Sequence, residues 1–192
     1  MSTTEPIRNL DDIQKIKTYL IEHQRFRDYV LFTLGLNTAL RISDILKLQW
    51  QDVYNFKDKT FCRRLHLIEQ KTKKKNCILL NDNIIIALHL LKDQLGSIYA
   101  SEYIIKSRVS DNKPIHRSRA YDIIRSLAKE LNIENPISCH SLRKTFGYQA
   151  WKAGYPPVLI MEIYNHSSLQ VTRRYLSINQ DDKEKVFMNL LL

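Results

Sequence analysis

The stretch FRDYVLFTLGLNTAL, residues 26–40, is the tightest constraint this chain places on its own fold. It is apolar on nearly all sides, so it predicts a buried helix rather than a surface helix with one wet face. The segments around it carry patterns of their own. Ile13, Ile16 and Leu20 share one face of a preceding helix, with Asp11 or Asp12 available as its cap. RISDILKLQW follows as a short helix that turns Ile42, Ile45 and Leu46 inward and has Arg41 at its start.

The period then changes. TFCRRLHLIEQ and NCILLN hold alternating or short apolar runs on either side of KTKKK, which predicts a β-hairpin with a basic turn. YIIKSR, residues 103–108, is a candidate third strand. Between them NDNIIIALHLLKDQLG predicts a helix, capped by Asn81 or Asp82 and stopped by Gly96. The second half is helical. Ala120, Ile123, Ile124, Leu127 and Leu131 form one stripe, and HSLRKTFGYQAWKAG runs to Gly154. Pro156 and Pro157 suit the first turn of the next helix, Asn165 can close it in the left-handed conformation, and Ser167 or Ser168 can cap the helix bearing Tyr175. Residues 180–192 predict a final short amphipathic helix.

The expected fold is therefore α+β and mainly α, with a small antiparallel sheet among the helices. No crossover pattern suggests a doubly wound parallel sheet. At 192 residues the chain is expected to form a single domain over 1–192.

Thirty basic against twenty acidic side chains leave a formal charge of +10, which favours a polyanionic partner. No apolar run approaches the ~18 residues that span a bilayer, and the first residues are polar and acidic rather than a signal peptide. The three cysteines, Cys62, Cys77 and Cys139, lack the spacing of a zinc site or a disulfide framework, so a reducing cytoplasm is the expected compartment. Acidic pairs at ligand spacing do not accompany the histidines, so no metal and no cofactor is expected.

Taken singly, the reactive side chains have ordinary readings. His140 and Arg143 stand at i and i+3 of one helix face, where both can reach a single anion, but a surface arginine beside a satisfied histidine has the same spacing. Arg41 followed by Asp44 is a common solvated pair. Lys71, Lys73, Lys74 and Lys75 form a cluster that reads as a solvated turn or as a phosphate-contacting loop.

Their order changes the reading. Arg41, a hairpin lysine, His140-x-x-Arg143, His166 and Tyr175 follow one another along nearly the whole chain. With HSLRKTF and HSSLQVTRRYL as the local motifs, the chain resembles the tyrosine recombinases, the phage-integrase-like site-specific DNA recombinases. The resemblance implies that Tyr175 attacks a scissile phosphate to form a 3′-phosphotyrosyl link, with neither ATP nor metal. It implies that Arg41 and Arg143 clamp the non-bridging oxygens, that His140 accepts a proton or hydrogen bond near the nucleophile, and that His166 bonds the phosphate. Lys71 would protonate the leaving 5′-oxygen, with Lys73 as its rival. Asp44 stands where the family has an acid and would orient neighbours. Lys73, Lys74, Lys75, Arg173 and Arg174 would face the DNA backbone or solvent.

YNHSS departs from the Leu-Gly-His of many members, and Asn165 replaces that glycine. The N-terminal core-binding domain of most members is also expected to be absent. The implied partners are double-stranded DNA and other recombinase protomers, as a tetramer on DNA, with residues 180–192 as the docking tail. Two other readings stay open. One is a non-catalytic DNA-binding relative, or an isolated catalytic fragment that needs a missing clamp domain. The other is a type IB topoisomerase-like enzyme that nicks and reseals.

Overall fold

Helix α2 (Phe26–Asn37) runs through the middle of the molecule, and its residues from Asp28 to Leu36 are all buried. The computed structural model describes residues 4–176, 184 and 187–189. Around α2 pack α1 (Leu10–Glu22), α5 (Asp82–Leu95) and α7 (Cys139–Lys152). The all-round apolar surface read from residues 26–40 is thus matched by cover on several sides. Where α7 crosses α2 there is no room for a side chain at Gly35. A Cβ there would lie 2.6 Å from Leu142 Cδ1.

Helix α1 is capped by Asn9, whose side chain accepts from the Asp11 N–H, and not by Asp11 or Asp12. Those two carboxylates fall in the first turn instead, where they complement the helix dipole. The short helix α3 (Ile42–Ile45) buries Ile45 and leads to α4 (Trp50–Val53).

Two antiparallel pairs follow rather than one sheet. β1 (Tyr54–Asn55) pairs with β2 (Thr60–Phe61), and β3 (Arg64–Ile68) pairs with β4 (Lys75–Leu79). The longer pair is the basic hairpin expected from sequence, in register from Arg64 opposite Leu79 to Ile68 opposite Lys75.

The segment 103–108 is not a strand. It makes only isolated bridges, Tyr103 to Gln49 and Lys106 to Pro114. Its Ile104 and Ile105 are buried, and the backbone groups there bond Leu48 and Ile115. The apolar run plugs the core instead of extending a ladder. Asn81 caps α5 as expected.

Three helices after α6 (Arg117–Glu130) position the site: α7, α8 (Pro157–Ile163) and α9 (Leu169–Leu176). Ser138 caps α7 in a reciprocal pair with Ser141. Ser168 Oγ accepts from the Val171 N–H at the start of α9. A second, smaller apolar cluster of Ala39, Ile160, Tyr164 and Leu176 joins α8 and α9 to α7 and to the turn after α2.

Among the described residues no helix is long and apolar enough to cross a membrane. Of the expected tail helix, residues 184 and 187–189 are helical, with Phe187 exposed. Leu190, Leu191 and most of 180–192 lie outside the described residues.

Candidate active site

Four segments far apart in sequence converge on one cavity of about 690 Å³. The start of α3 brings Arg41, the β3–β4 turn brings Lys71, α7 brings His140 and Arg143, and α9 brings Tyr175. Arg117 on α6 completes the basic lining.

Arg143 is the most deeply set of these, at 2% exposure. One Nη donates to the Ala39 carbonyl and the other to the Tyr164 carbonyl at 3.0 Å. Ala39 holds a left-handed backbone (φ 56), which costs about 1 kcal/mol or more for a residue with a Cβ. The carbonyl that this turn presents is bonded to the guanidinium. Burial, with Arg41 nearby, pushes the Arg143 pKa down, yet a guanidinium stays charged at any ordinary pH. The Tyr164 ring lies 4.5 Å from its Cζ, a cation–π contact. The Tyr164 hydroxyl donates back to the Arg143 carbonyl.

The Tyr175 ring stands among these groups. Its centroid is 4.6 Å from His166, 5.1 Å from His140 and 5.2 Å from Tyr164. Arg143 Cζ lies 5.8 Å from it. His166 Nδ1 and the Thr172 hydroxyl are 3.0 Å apart, which ties the α8–α9 turn to α9. Asn165 has φ 54, the left-handed closure expected at that position.

Arg41 does not pair with Asp44. Its Nη1 donates to Glu69 Oε2 at 2.6 Å. Asp44 Oδ1 accepts the Gln70 N–H at 2.9 Å and so anchors the hairpin turn to α3. Lys71 lines the cavity, whereas Lys73 closes the turn by donating its N–H to the Glu69 carbonyl at 2.9 Å. Lys73, Lys74, Lys75 and Arg173 are exposed, and the Arg174 side chain lies outside the described residues.

Three site residues had no sequence signal. Glu69 ends an alternating strand where an acid reads as solvated, Tyr164 reads as a helix-end aromatic, and Arg117 is one of several surface arginines. No group of His, Cys, Asp or Glu among the described residues could hold a metal ion.

Burial pushes both imidazoles down to about 4, reinforced at His140 by Lys144, Arg143, Arg117 and Arg41, and at His166 by Arg143 and Arg41. Solvent in the cavity reaches His140 and softens the push there. Both rings are neutral at pH 7, so each carries one ring nitrogen without a proton.

The folded values lie below the ordinary 6.5, so between pH 6.5 and 4 the unfolded chain binds more protons. Stability present above pH 6.5 is therefore lost as the pH falls toward 4. Thermal melts from pH 7.5 to 4.5 will show this decline, and His166→Gln will flatten it. An equal slope in the variant would contradict a half-buried, neutral His166.

The phage integrase family matches residues 8–182. A probable integrase/recombinase, YoeC, of Bacillus subtilis (strain 168) is 41% identical over 181 residues, covering 94% of this chain and 93% of that protein. A tyrosine recombinase of Pseudothermotoga lettingae is 25% identical over 186 residues, covering 94% of this chain but 59% of its own length.

Solved structures share the fold, among them two recombinases. The XerA recombinase has a TM-score of 0.77 at 18% identity, covering 98% of this chain and 65% of that one. The XerH site-specific recombinase in a post-cleavage complex with a palindromic difH substrate has a TM-score of 0.73 at 16% identity, covering 97% and 53%. The chain thus spans nearly all of YoeC and about half to two-thirds of the other three. A family match over residues 8–182, together with 41% identity along almost all of YoeC, establishes that this chain belongs to the phage integrase family.

Proposed function

We propose that residues 1–192 form one catalytic domain of a site-specific DNA recombinase, which cuts and rejoins DNA through a 3′-phosphotyrosyl intermediate. One observation carries this reading. The Tyr175 phenol stands between two neutral imidazoles and a buried guanidinium, on the wall of a cavity that Arg41 and Lys71 also line.

The chemistry follows from those groups. Tyr175 Oη attacks the scissile phosphorus and gives up its proton to His140. Arg41 and Arg143 hold the non-bridging oxygens, where preorganised cations act on charge that develops in the transition state. His166 donates a hydrogen bond to the same phosphate. The P–O5′ bond breaks, and Lys71 supplies the proton that makes the 5′-hydroxyl. Rejoining reverses these steps with a 5′-hydroxyl from another strand. One phosphoester replaces another, so ATP has no role. The guanidinium pair supplies the charge that a metal would otherwise bring.

The substrate is double-stranded DNA, in keeping with the +10 charge. Exchange between two duplexes requires several protomers, and we propose a tetramer on DNA. One structure of related fold, at a TM-score of 0.67, is a lambda integrase dimer bound to a core site. The compartment is the cytoplasm, where DNA and reduced cysteines coexist.

Lys71 and Lys73 are separable by leaving-group chemistry. Lys71→Ala will slow cleavage by about 10²–10⁴-fold. A substrate with sulfur in place of the 5′-bridging oxygen will restore the rate, because a thiolate leaves without a proton. Lys73→Ala will show neither effect, and the reverse pattern would move the role to Lys73.

The reading is tested by covalent capture. The protein is mixed with nicked suicide duplexes from its own genomic neighbourhood, denatured and run on an SDS gel. A protein–DNA band supports the proposal. DNA retention at low salt with no band would point to a binding protein that does not cut.

A further inference from the structure

Glu69 lies behind Arg41, outside the cavity lining, and no step above uses it. Its side chain is 1% exposed. Oε2 accepts from Arg41 Nη1 at 2.6 Å and from the Thr72 hydroxyl at 3.1 Å. Oε1 accepts from Asn165 Nδ2 at 2.6 Å and from Asn76 Nδ2 at 3.0 Å. The donors come from the start of α3, the hairpin turn, β4 and the α8–α9 turn. Burial raises a carboxylate's pKa, but here the bonds from Asn165, Asn76, Thr72 and Arg41 outweigh it and hold Glu69 below its ordinary value. It is an anion at neutral pH.

An arginine at the edge of an open cavity has many rotamers, and a phosphate clamp needs one of them. A carboxylate whose two oxygens each accept two hydrogen bonds is a fixed point against which that rotamer can be held. Asn165 adds a second connection. Its left-handed backbone would suit glycine equally well, but glycine has no side chain to reach Glu69. The asparagine both closes α8 and donates to the carboxylate.

We propose that Glu69 is a positioning residue. It fixes the Arg41 guanidinium on the cavity wall and, through Asn165, ties the turn carrying His166 to the turn carrying Lys71. The proposal rests on the reading of Arg41 as a phosphate clamp. Glu69 touches no reacting atom; it acts through Arg41 and through the two turns.

The test compares wild type, Glu69→Gln and Asn165→Gly in three measurements: the rate of covalent capture on the suicide duplex, DNA affinity, and solvent exchange of the Arg41 guanidinium protons by NMR without DNA. Glu69→Gln is expected to slow capture by about 10–100-fold while DNA affinity holds or rises, because the local charge becomes more positive. Its Arg41 protons should exchange faster than in wild type.

Asn165→Gly keeps the turn and removes one donor, so capture should fall by roughly 3–10-fold. If Glu69→Gln does not fold, this second variant carries the same comparison. A capture rate within about twofold of wild type would overturn the proposal. So would a loss of rate that tracks an equal loss of affinity and melting temperature, since a purely structural residue behaves that way. If wild type itself forms no covalent complex, the recombinase reading fails, and the exchange measurement still decides. Slow Arg41 exchange that is lost in the variant upholds Glu69 as its anchor; equal exchange rejects it.

Discussion

Tyr175→Phe will abolish covalent capture of DNA while leaving the protein folded and still able to retain DNA at low salt. The substitution removes one oxygen. The ring that meets His140, His166 and Tyr164 stays, as does the Arg143 face contact. Loss of a nucleophile from an intact site lowers the rate by roughly six orders of magnitude, so no band should form on any practical timescale. DNA retention depends on the basic lining of Arg41, Lys71, Arg117 and Arg143, whose charges the substitution leaves in place. A band that persists in the variant would assign the attack to another residue. Joint loss of band and melting transition would mean that the hydroxyl is structural.

Gly147→Ala should lower both stability and activity, although it adds only a methyl group. A Cβ at Gly147 would lie 2.4 Å from the Tyr164 hydroxyl and 2.9 Å from Cε2 of the same ring. Tyr164 cannot swing aside, because it is fully buried, stacked on His166 and packed against Phe146, Tyr175 and Arg143.

Overpacking of this kind costs about 1–3 kcal/mol, and the helix-propensity gain of alanine offsets up to about 1. A net loss of about 1–2 kcal/mol would lower Tm by about 2–8 °C in a chain of this size. Displacement of the ring moves Arg143 and His166 with it, and a 1 Å misplacement costs about 10²-fold in rate. Adding Tyr164→Phe to Gly147→Ala removes the closest contact and should recover part of the stability. Unchanged melting in the single variant would mean that the α7–α8 contact is looser than it stands.

The core helices were legible because burial leaves a periodic trace. Residues 26–40, the α6 stripe and the Asn81 cap all follow from spacing and cap chemistry. The segment 103–108 misled because a short apolar run looks the same whether it extends a sheet or plugs a core. Only the partners of its backbone groups tell the two apart, and those of Ile104 and Ile105 are Leu48, far back in the sequence, and Ile115, across the next turn.

The order of Arg41, His140, Arg143, His166 and Tyr175 was also legible, and the fold brings them together. The partner of Arg41 was not. Asp44 at i+3 was the local candidate, but helix α3 is only one turn long and aims Asp44 at the hairpin backbone. Glu69 and Tyr164 act by where the fold puts them, and neither has a local pattern that announces it.

The segments around the cavity leave the ribosome in a fixed sequence. The turn after α2, the hairpin and α7 emerge before α9, and Tyr175 trails Arg143 by 32 residues. At about 5–20 residues per second, that interval lasts roughly 2–6 s. During it Arg143 still awaits the Tyr164 carbonyl, which accepts one of its Nη bonds and is made 21 residues after it. On the proposed mechanism, the chain gains the power to cut only once α9 has docked Tyr175 against His140 and His166.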